Sequence, residues 1–372
     1  MTANLNSLYN LGSINSSTNG VLTMKQTPKK RVTLQDVARR AGVSTAVVSY
    51  AINNGPRPIS DEARARVVQA IAELGYQPNA FAQAMAMGSQ RARTIGFIIQ
   101  DISPRGIFTT PYVAGLLSGV AAHLKDQRYY LLVYQLAIDE PLSNIEELVG
   151  SRRIDGVIIR LVQDPPQTDA LLETIAKAHL PCVCIERQGA PRFGFGSITY
   201  GDQQAAHAAT RLLIEQGHQR IAHIQGDLRA AAAHDRREGY RQALTEAGIA
   251  VDERLITGNS WSLAEGGAAM QRILANGYLP TAIFAANDYL AMGAISVLRR
   301  RGLRIPEDIA VIGYDDIPEA AEADPPLTTV RVPLMEIGER AATRVLHALS
   351  GQISQTGIEE VVPAQLIRRS SV

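Results

Sequence analysis

Only two cysteines, Cys182 and Cys184, occur in 372 residues, so the disulfide framework of a small secreted protein is excluded. They stand two apart in Pro-Cys-Val-Cys-Ile, a spacing that fits neither a zinc framework nor a Cys-x-x-Cys redox pair. In a strand both would point to one face, as small apolar core residues. Long apolar runs are missing too. Stretches such as Phe97–Ile99 and Val157–Ile159 fall far short of the roughly 18 residues of a membrane span. The first 24 residues carry no charge and no continuous apolar core, so they do not form a secretory signal, and a cytoplasmic protein is expected. Their Asn, Ser, Thr and Gly content cannot bury enough apolar surface to fold, and residues 1–30 are expected to be a disordered tail. Met24 is a candidate start, because organised sequence begins at Lys25; a native mass beginning at Met1 would refute it.

Catalytic signatures are equally scarce. There is no Gly-x-x-x-x-Gly-Lys-Ser/Thr loop, no His-Glu-x-x-His and no Gly-x-Ser-x-Gly elbow. The seven histidines, at 123, 179, 207, 218, 223, 234 and 347, show no metal-ligand spacing with cysteine or carboxylate. His218 and His223 flank a turn into a strand and read as structural. A non-enzyme with no cofactor and no metal is expected.

What is present is a globular composition, 46% apolar and 20% charged, with enough apolar side chains for a large core. The net charge of +1 hides a split. Residues 25–93 hold eleven Lys/Arg against four Asp/Glu, a net of +7, while residues 94–372 hold 26 basic and 32 acidic side chains, a net of −6. A small basic head on a mildly acidic body points to a polyanionic partner for the head.

The head reads as three helices. Thr33 caps the first, with Asp36 three residues on as its reciprocal partner, and Leu34, Val37 and Ala38 fall at helical spacing. Gly42 breaks it, and Ser44 caps a second helix from Thr45 to about Ile52. Asn53-Asn54-Gly55-Pro56 ends that one. A third begins at Ser60, with Asp61 and Glu62 in its first turn, an apolar face of Val67, Ala70, Ile71 and Leu74, and Gly75 as its stop. Two short helices joined at a glycine and braced by a third form a helix-turn-helix, whose second helix suits the major groove. Spacing alone also fits a three-helix bundle with no DNA role. After Pro78, Asn79 can cap a further short helix, Ala80–Ala86, too short to be stable alone.

The string Val32-Thr-Leu-Gln-Asp-Val-Ala-Arg-Arg-Ala-Gly-Val-Ser-Thr-Ala-Val-Val-Ser-Tyr-Ala-Ile-Asn, continued by Leu74-Gly-Tyr-Gln-Pro-Asn-Ala80, resembles the headpiece of the LacI/GalR family of bacterial repressors. The resemblance implies that Thr45, Ala46 and Tyr50 read base edges and that Thr33, Ser44, Ser49, Asn53 and Asn79 belong to the DNA-contacting set. Many members carry an arginine where Tyr50 stands. A tyrosine cannot make that bidentate guanine contact, so the operator need not match the familiar half-site there. The family's hinge helix folds on DNA and enters the minor groove. Ala82 and Gln83 fit its pattern, and Met85 takes the place of the usual leucine wedge. Arg91 and Arg93 follow as phosphate contacts or solvated charges.

From Thr94 strands and helices alternate, with near-continuous apolar strands at 95–100, 129–134, 155–160, 182–186, 220–225, 282–286 and 309–313. That pattern means parallel sheets covered on both faces, in two series and hence two α/β subdomains. Ligands in such sheets bind beyond the carboxyl ends of the strands, where Asp101, Arg160, Glu186 and Asp315 stand. Arg236 and Trp261 are placed at or near helix starts. Trp261 is the only tryptophan.

The resemblance extends over about 32–370, through Asp155-Gly-Val-Ile-Ile, Gly217-His-Gln-Arg-Ile-Ala-His-Ile, Arg236-Arg-Glu-Gly-Tyr, Ala286-Asn-Asp-Tyr-Leu-Ala-Met-Gly and Val311-Ile-Gly-Tyr-Asp-Asp-Ile. It implies a periplasmic-binding-protein-like body of two lobes joined by three crossovers, dimerising through that body. Arg236, Trp261, Asn287 and Asp315 fall on family ligand positions. Glu186 stands where an aspartate is common, Arg160 where a smaller polar residue often sits, and Tyr112 matches a position lining the first lobe. Asn287 equally suits a cap for the helix after it.

The expected fold is therefore a small all-α helix-turn-helix DNA-binding domain (31–77), a hinge helix and linker (78–93), and a two-lobed α/β effector-binding and dimerisation domain with parallel sheets (94–372). The expected function is a homodimeric, sequence-specific repressor of double-stranded operator DNA, controlled by a small-molecule effector, a sugar or sugar derivative. A sugar-binding transport receptor would share the body but not the basic head. An Arg, a Glu, an Asp and a Trp favour a neutral polyhydroxy effector over a purine, while Arg160 beside Arg236 leaves an acidic sugar or a phosphate open.

Overall fold

The structure, a computed structural model, describes residues 32–53, 58–77, 91–100, 108, 110–137, 143–161, 167–186, 190–277, 279–352 and 357–372. The expected disordered tail, Asn79, Ala82, Gln83, Met85 and Asp101 lie outside these residues, as do the side chain of Asn53 and the whole of Ala80–Ala86. The chain divides into two compact units, Met1–Ser89 and Gln90–Val372.

In the first unit α1 (Leu34–Ala41), α2 (Thr45–Asn53) and α3 (Asp61–Leu74) form where the caps dictate. The Asp36 N–H donates to Thr33 Oγ1 at 3.3 Å and the Thr33 N–H donates to Asp36 Oδ2 at 3.0 Å, so two orphan donors are satisfied reciprocally. Gly42 closes α1 at φ 66°, a left-handed conformation that disfavours a side chain. Ser44 Oγ accepts from Val47 N–H at 3.3 Å, and Ser60 Oγ from Ala63 N–H at 3.2 Å. Val37, Ala38, Ala41, Val48, Val67 and Ala70 are buried together where the three helices meet. Arg64 ties α3 to α2 through the Ala51 carbonyl at 3.0 Å, and Arg40 pairs with Glu73.

The second unit holds two parallel sheets. The first has six strands in the order β11-β5-β4-β3-β1-β2: β1 (Thr94–Gln100), β2 (Tyr130–Leu136), β3 (Gly156–Arg160), β4 (Cys182–Ile185), β5 (Gly196–Thr199) and β11 (Glu359–Val361). Side chains on β1 alternate. Ile95, Phe97 and Ile99 pack toward α4 (Pro111–Asp126) and α12 (Leu334–Ser350), while Ile98 packs with residues of α5 (Ser143–Gly150) and α6 (Gln167–Lys177). Each such side chain, when fully buried, contributes about 1.5–3 kcal/mol. Cys182 and Cys184 are free thiols buried on β4, as apolar core residues.

The second sheet has the order β7-β6-β8-β9: β6 (Ile221–Ile224), β7 (Ile256–Thr257), β8 (Ala282–Ala285) and β9 (Ala310–Ile312). Its faces are covered by α7 (Asp202–Glu215) with α8 (Ala231–Glu246), and by α9 (Leu263–Ala275) with α10 (Asp288–Arg300). The short helix α11 (Pro318–Glu322) follows β9. His223 on β6 is fully buried between the rings of Tyr240 and Phe284, at 5.0 and 5.1 Å between centroids, consistent with its structural reading.

The chain passes between the sheets three times. The first passage is β5 to α7. The second runs through β10 (Thr329–Arg331) into α12, and the third returns from β11 through β12 (Gln365–Ile367), which pairs antiparallel with β10. Beyond β12 the chain reaches the second sheet, where the Val311 N–H donates to the Ser371 carbonyl at 2.8 Å. The expected two-lobed α/β architecture is thus present. One local expectation needs correction. Helix α8 begins at Ala231, not Arg236, because Ala231–Ala233 are the strongest helix formers available there, so Arg236 stands in its second turn. Helix α12, the longest among the described residues, buries Ile337, Gly338, Ala341, Ala342 and Val345 at helical spacing, and the sequence reading assigned no element there.

Candidate functional site

In the first unit the start of α2 is open to solvent. Ser44, Thr45 and Ala46 are exposed, and Ser49 and Tyr50, a turn further on, are partly exposed. Val48, between them, faces inward. The helix carries no charged side chain, so any selectivity at this face comes from uncharged groups. Thr33 is exposed, and its side chain is engaged in the α1 cap.

In the second unit the carboxyl ends of the strands bring the candidate effector residues together. On the first lobe, Arg160 ends β3 and Glu186 follows β4 in a left-handed conformation, φ 60°. The Arg160 Nε donates to Glu186 Oε2 at 2.9 Å, with the guanidinium 4.8 Å from the centre of the Tyr112 ring. The hydroxyls of Tyr112 and Tyr200 both donate to Glu186 Oε1. Burial alone would raise the Glu186 carboxyl, but Arg160 and the two hydroxyls outweigh it and hold the group below the ordinary carboxylate range. The same surroundings push the Tyr112 hydroxyl up, through burial first and the Glu186 charge second.

On the second lobe Arg236 is 3% exposed and its partner Asp202 9%. Arg236 Nε donates to Asp202 Oδ1 and Nη1 to the Ala286 carbonyl, both at 2.6 Å. Its guanidinium lies 3.7 Å from the Tyr314 ring centre and 5.5 Å from that of Trp261. The Trp261 ring lies so close to Gly226 that a Cβ there would stand 2.4 Å from it. Asn287 caps α10 by accepting from the Leu290 N–H at 2.8 Å, and its Nδ2 donates to the Trp261 carbonyl at 3.1 Å. Both polar ends of Asn287 are therefore committed to holding the Trp261 segment and the helix.

Asp315 stands at φ 105° after β9, with Oδ1 3.6 Å from Arg236 Nη1. That oxygen is buried and makes no hydrogen bond among the described residues. Burial, opposed by Arg236 and reinforced by Asp202 and Glu186, lifts its carboxyl to about 7. Asp202 is lifted to about 6 by burial, against the pull of Arg236. The two lobes act on each other electrostatically, since Arg236 lowers Glu186 and Arg160 lowers Asp315. A cavity of about 430 Å³ is lined by Tyr112 and Asp315 together with Asp316, Arg331, Val332 and Leu334; Arg160, Glu186, Arg236, Trp261 and Asn287 do not line it.

The structure thus gathers Tyr112, Arg160 and Glu186 on one side, and Arg236, Trp261, Asn287 and Asp315 on the other. Sequence reasoning missed Tyr200, Asp202 and Tyr314. Tyr200-Gly201-Asp202 does follow a strand and open a helix, which is a signal. That Asp202 would meet Arg236, 34 residues away, is a tertiary fact. Asp288 was missed too. It is fully buried, accepts from Thr329 Oγ1 at 2.5 Å and from the Ile317 N–H at 2.9 Å, and so fastens the second crossover to α10. Burial and Asp315 lift its carboxyl to about 8. Among the described residues no group of three His, Cys, Asp or Glu side chains is placed to hold a metal, and no helix is long and apolar enough to cross a membrane.

Comparison with known proteins places this arrangement. Residues 33–79 match the family described as bacterial regulatory proteins, lacI family, and residues 210–372 match a periplasmic binding protein-like domain. The HTH-type transcriptional repressor PurR of Pasteurella multocida is 33% identical over 340 residues, covering 91% of this chain and 98% of that protein. The HTH-type transcriptional repressor CytR of Escherichia coli K12 is 34% identical over 342 residues, covering 91% and 96%. Among solved structures, the lac repressor dimer bound to operator and the anti-inducer ONPF superposes with a TM-score of 0.78 at 27% identity, over 92% of this chain and 99% of that one. The complex of the transcriptional regulator CelR with cellobiose gives 0.69 at 31% identity, over 92% and 100%.

Proposed function

Because the chain belongs to the LacI family of bacterial regulatory proteins, we propose that it is a cytoplasmic, homodimeric repressor that binds a pseudo-palindromic operator and is switched by a small effector, a sugar or sugar derivative. The observation that carries this reading is the pairing, in one chain, of a capped helix-turn-helix with a polar cleft between two parallel-sheet lobes. Residues 31–77 bind DNA, 78–93 form the hinge and 94–372 hold the effector and the dimer contact. Two recognition helices enter successive major grooves, with Thr45, Ala46 and Tyr50 reading base edges and Thr33, Ser44, Ser49 and Asn53 in the DNA-contacting set. Asn79, Ala82, Gln83 and Met85 of paired hinge segments engage the minor groove, Met85 as the wedge.

In the cleft, Tyr112, Arg160 and Glu186 face Arg236, Trp261, Asn287 and Asp315 across the bound effector. Trp261 supplies the apolar platform, and Asp315 accepts a hydroxyl. Asn287 acts at one remove, by fixing Trp261. Closing the lobes on the effector changes their relative orientation and with it the order of the hinge, so effector and operator affinities are reciprocally coupled.

DNA binding by the purified protein across a salt series tests the first half of this reading. A repressor loses affinity steeply as salt rises, through counterion release from several phosphate contacts. A flat salt response with no sequence preference refutes it. Met85→Gly is expected to weaken operator binding far more than effector binding, and equal losses refute the wedge. Asp315→Ala is expected to abolish the effector response with DNA binding intact, and an unchanged effector affinity removes Asp315 from the site.

A further inference from the structure

Asp315, Asp316 and Ile317 are consecutive, and each is fastened to a different part of the second unit. The Asp315 N–H donates to the Val330 carbonyl at 2.8 Å, on the second crossover. The Ile317 N–H donates to Asp288 Oδ2 at 2.9 Å, on α10. Between them the Asp316 carboxylate takes two arginines at once. Its Oδ2 accepts from Arg331 Nε, on β10, and its Oδ1 from Arg369 Nη2, just beyond β12, both at 2.6 Å. The second and third crossovers therefore meet on one carboxylate, next in the chain to the residue proposed above to contact the effector.

Two features separate this joint from an ordinary surface ion pair. The backbone is strained: Asp315 stands at φ 105° and Asp316 at φ 55°, successive left-handed conformations at residues with side chains. Such a conformation persists only where the surroundings over-determine it. The joint is also covered on one side. Asp316 has 6% of its side chain exposed and Arg369 17%, against 52% for Arg331. Solvent screens the Arg331 pair, while the Arg369 pair acts in a poorly solvated place. Arg369 is itself fixed. Its Nη1 donates to the Leu327 carbonyl at 2.7 Å and its N–H to Thr328 Oγ1 at 2.9 Å. The buried Ser371, two residues on, accepts from the Thr328 N–H at 2.8 Å.

We infer that Asp316 is a positioning residue: gripped chiefly by Arg369, it holds Asp315 at the cleft and locks the second and third crossovers to the second lobe. Removing Arg369 leaves the covered carboxylate with one screened partner, whereas removing Arg331 leaves it the covered one, so the first loss is the greater. The consequence for effector binding rests on the cleft reading given above; the lock on the crossovers does not.

Hydrogen exchange on the full-length protein tests the lock without a ligand. Asp316→Asn keeps the shape and tolerates a left-handed backbone, and Arg369→Met removes the other half of the covered pair. In each, exchange is expected to rise at least about tenfold at 313–317, 328–331 and 365–371, and to stay unchanged in the strands at 221–224 and 282–285. Arg331→Met is expected to give a smaller rise, and Arg369→Lys, which retains the charge, a smaller rise than Arg369→Met. The double variant Asp316→Asn with Arg369→Met is expected to exchange no faster than the faster single one, because both break one contact. Wild-type exchange in both single variants, a rise spread evenly over the second lobe, or a double variant whose rise is the product of the two single ones overturns the lock.

Titration calorimetry with cellobiose, glucose, galactose and ribose gives the second readout. A sugar that binds the wild type is expected to bind Asp316→Asn and Arg369→Met at least about tenfold more weakly, and Arg369→Lys within about threefold of wild type. Unchanged affinity in Asp316→Asn and Arg369→Met overturns the positioning of Asp315. Binding of none of the four by wild-type protein counts against the sugar-effector reading, and the exchange pattern then decides the lock.

Discussion

Trp261 is the only tryptophan in the chain, and its position depends on a glycine. Replacing Gly226 with alanine would place a Cβ 2.4, 2.5 and 2.6 Å from three atoms of the Trp261 ring. Favourable carbon contacts lie near 3.5–4.0 Å, so the ring must retreat by about 1 Å. The backbone of Trp261 is held by Asn287 at 3.1 Å, and Ser262 next to it caps α9, so the ring yields before the chain does. The strain of such overpacking is about 1–3 kcal/mol. At roughly 2–4 °C per kcal/mol for a domain of this size class, the melting temperature is expected to fall by a few degrees. The larger effect falls on the cleft, because the displaced ring is its aromatic wall and stands 5.5 Å from the Arg236 guanidinium. Gly226→Ala is expected to red-shift the single tryptophan emission, raise its quenching by acrylamide and weaken effector binding at least about tenfold, roughly 1.4 kcal/mol. The far-ultraviolet circular dichroism is expected to stay unchanged. Emission, quenching and stability all identical to wild type would refute the packing of Trp261 on Gly226 and its place in the site.

Asn287→Ala removes the α10 cap and the Trp261 tie together, and is expected to cost about 1–2 kcal/mol in denaturant unfolding and to share the red shift; loss of stability without the red shift would detach Asn287 from Trp261. His223 gives a pH signature. Burial, against the Phe284 carbonyl and with nearby arginines adding to it, depresses its ring to about 4 from an ordinary 6.5. The neutral ring therefore contributes stability that is complete above 6.5 and is lost as pH falls toward 4. The stability gap between wild type and His223→Gln is expected to shift by about 3 kcal/mol against the wild type over that window, and a gap independent of pH would contradict the buried neutral ring. Thr33→Ala is expected to cost the head about 1 kcal/mol, read as faster hydrogen exchange over residues 34–41 in the full-length protein, and unchanged exchange there would contradict the capping box.

The sequence by itself determined whatever depends on near neighbours. Thr33 with Asp36, Ser44, Ser60, Gly42 and Gly75 set the helix ends of the head, because a cap is an interaction across three or four residues. The near-continuous apolar runs at Ile95–Ile99 and Ala282–Ala285 announced covered parallel strands, since a run of apolar residues is a local pattern. The resemblance added names for the cleft residues, and the fold brings Tyr112, Arg160, Glu186, Arg236, Trp261 and Asp315 into one electrostatic neighbourhood. Tertiary structure alone decided how those charges are spent. Arg160 and Glu186 are 26 residues apart, Arg236 and Asp202 34, and Asp288 and Thr329 41, so no spacing rule links them. Strand order sets two carboxyl ends side by side, and burial then makes each pairing obligatory, because a lone charge there is too costly to keep. Whether an arginine in a cleft reaches for a ligand or for its own neighbour is a question of three-dimensional distance, and here the neighbours hold both.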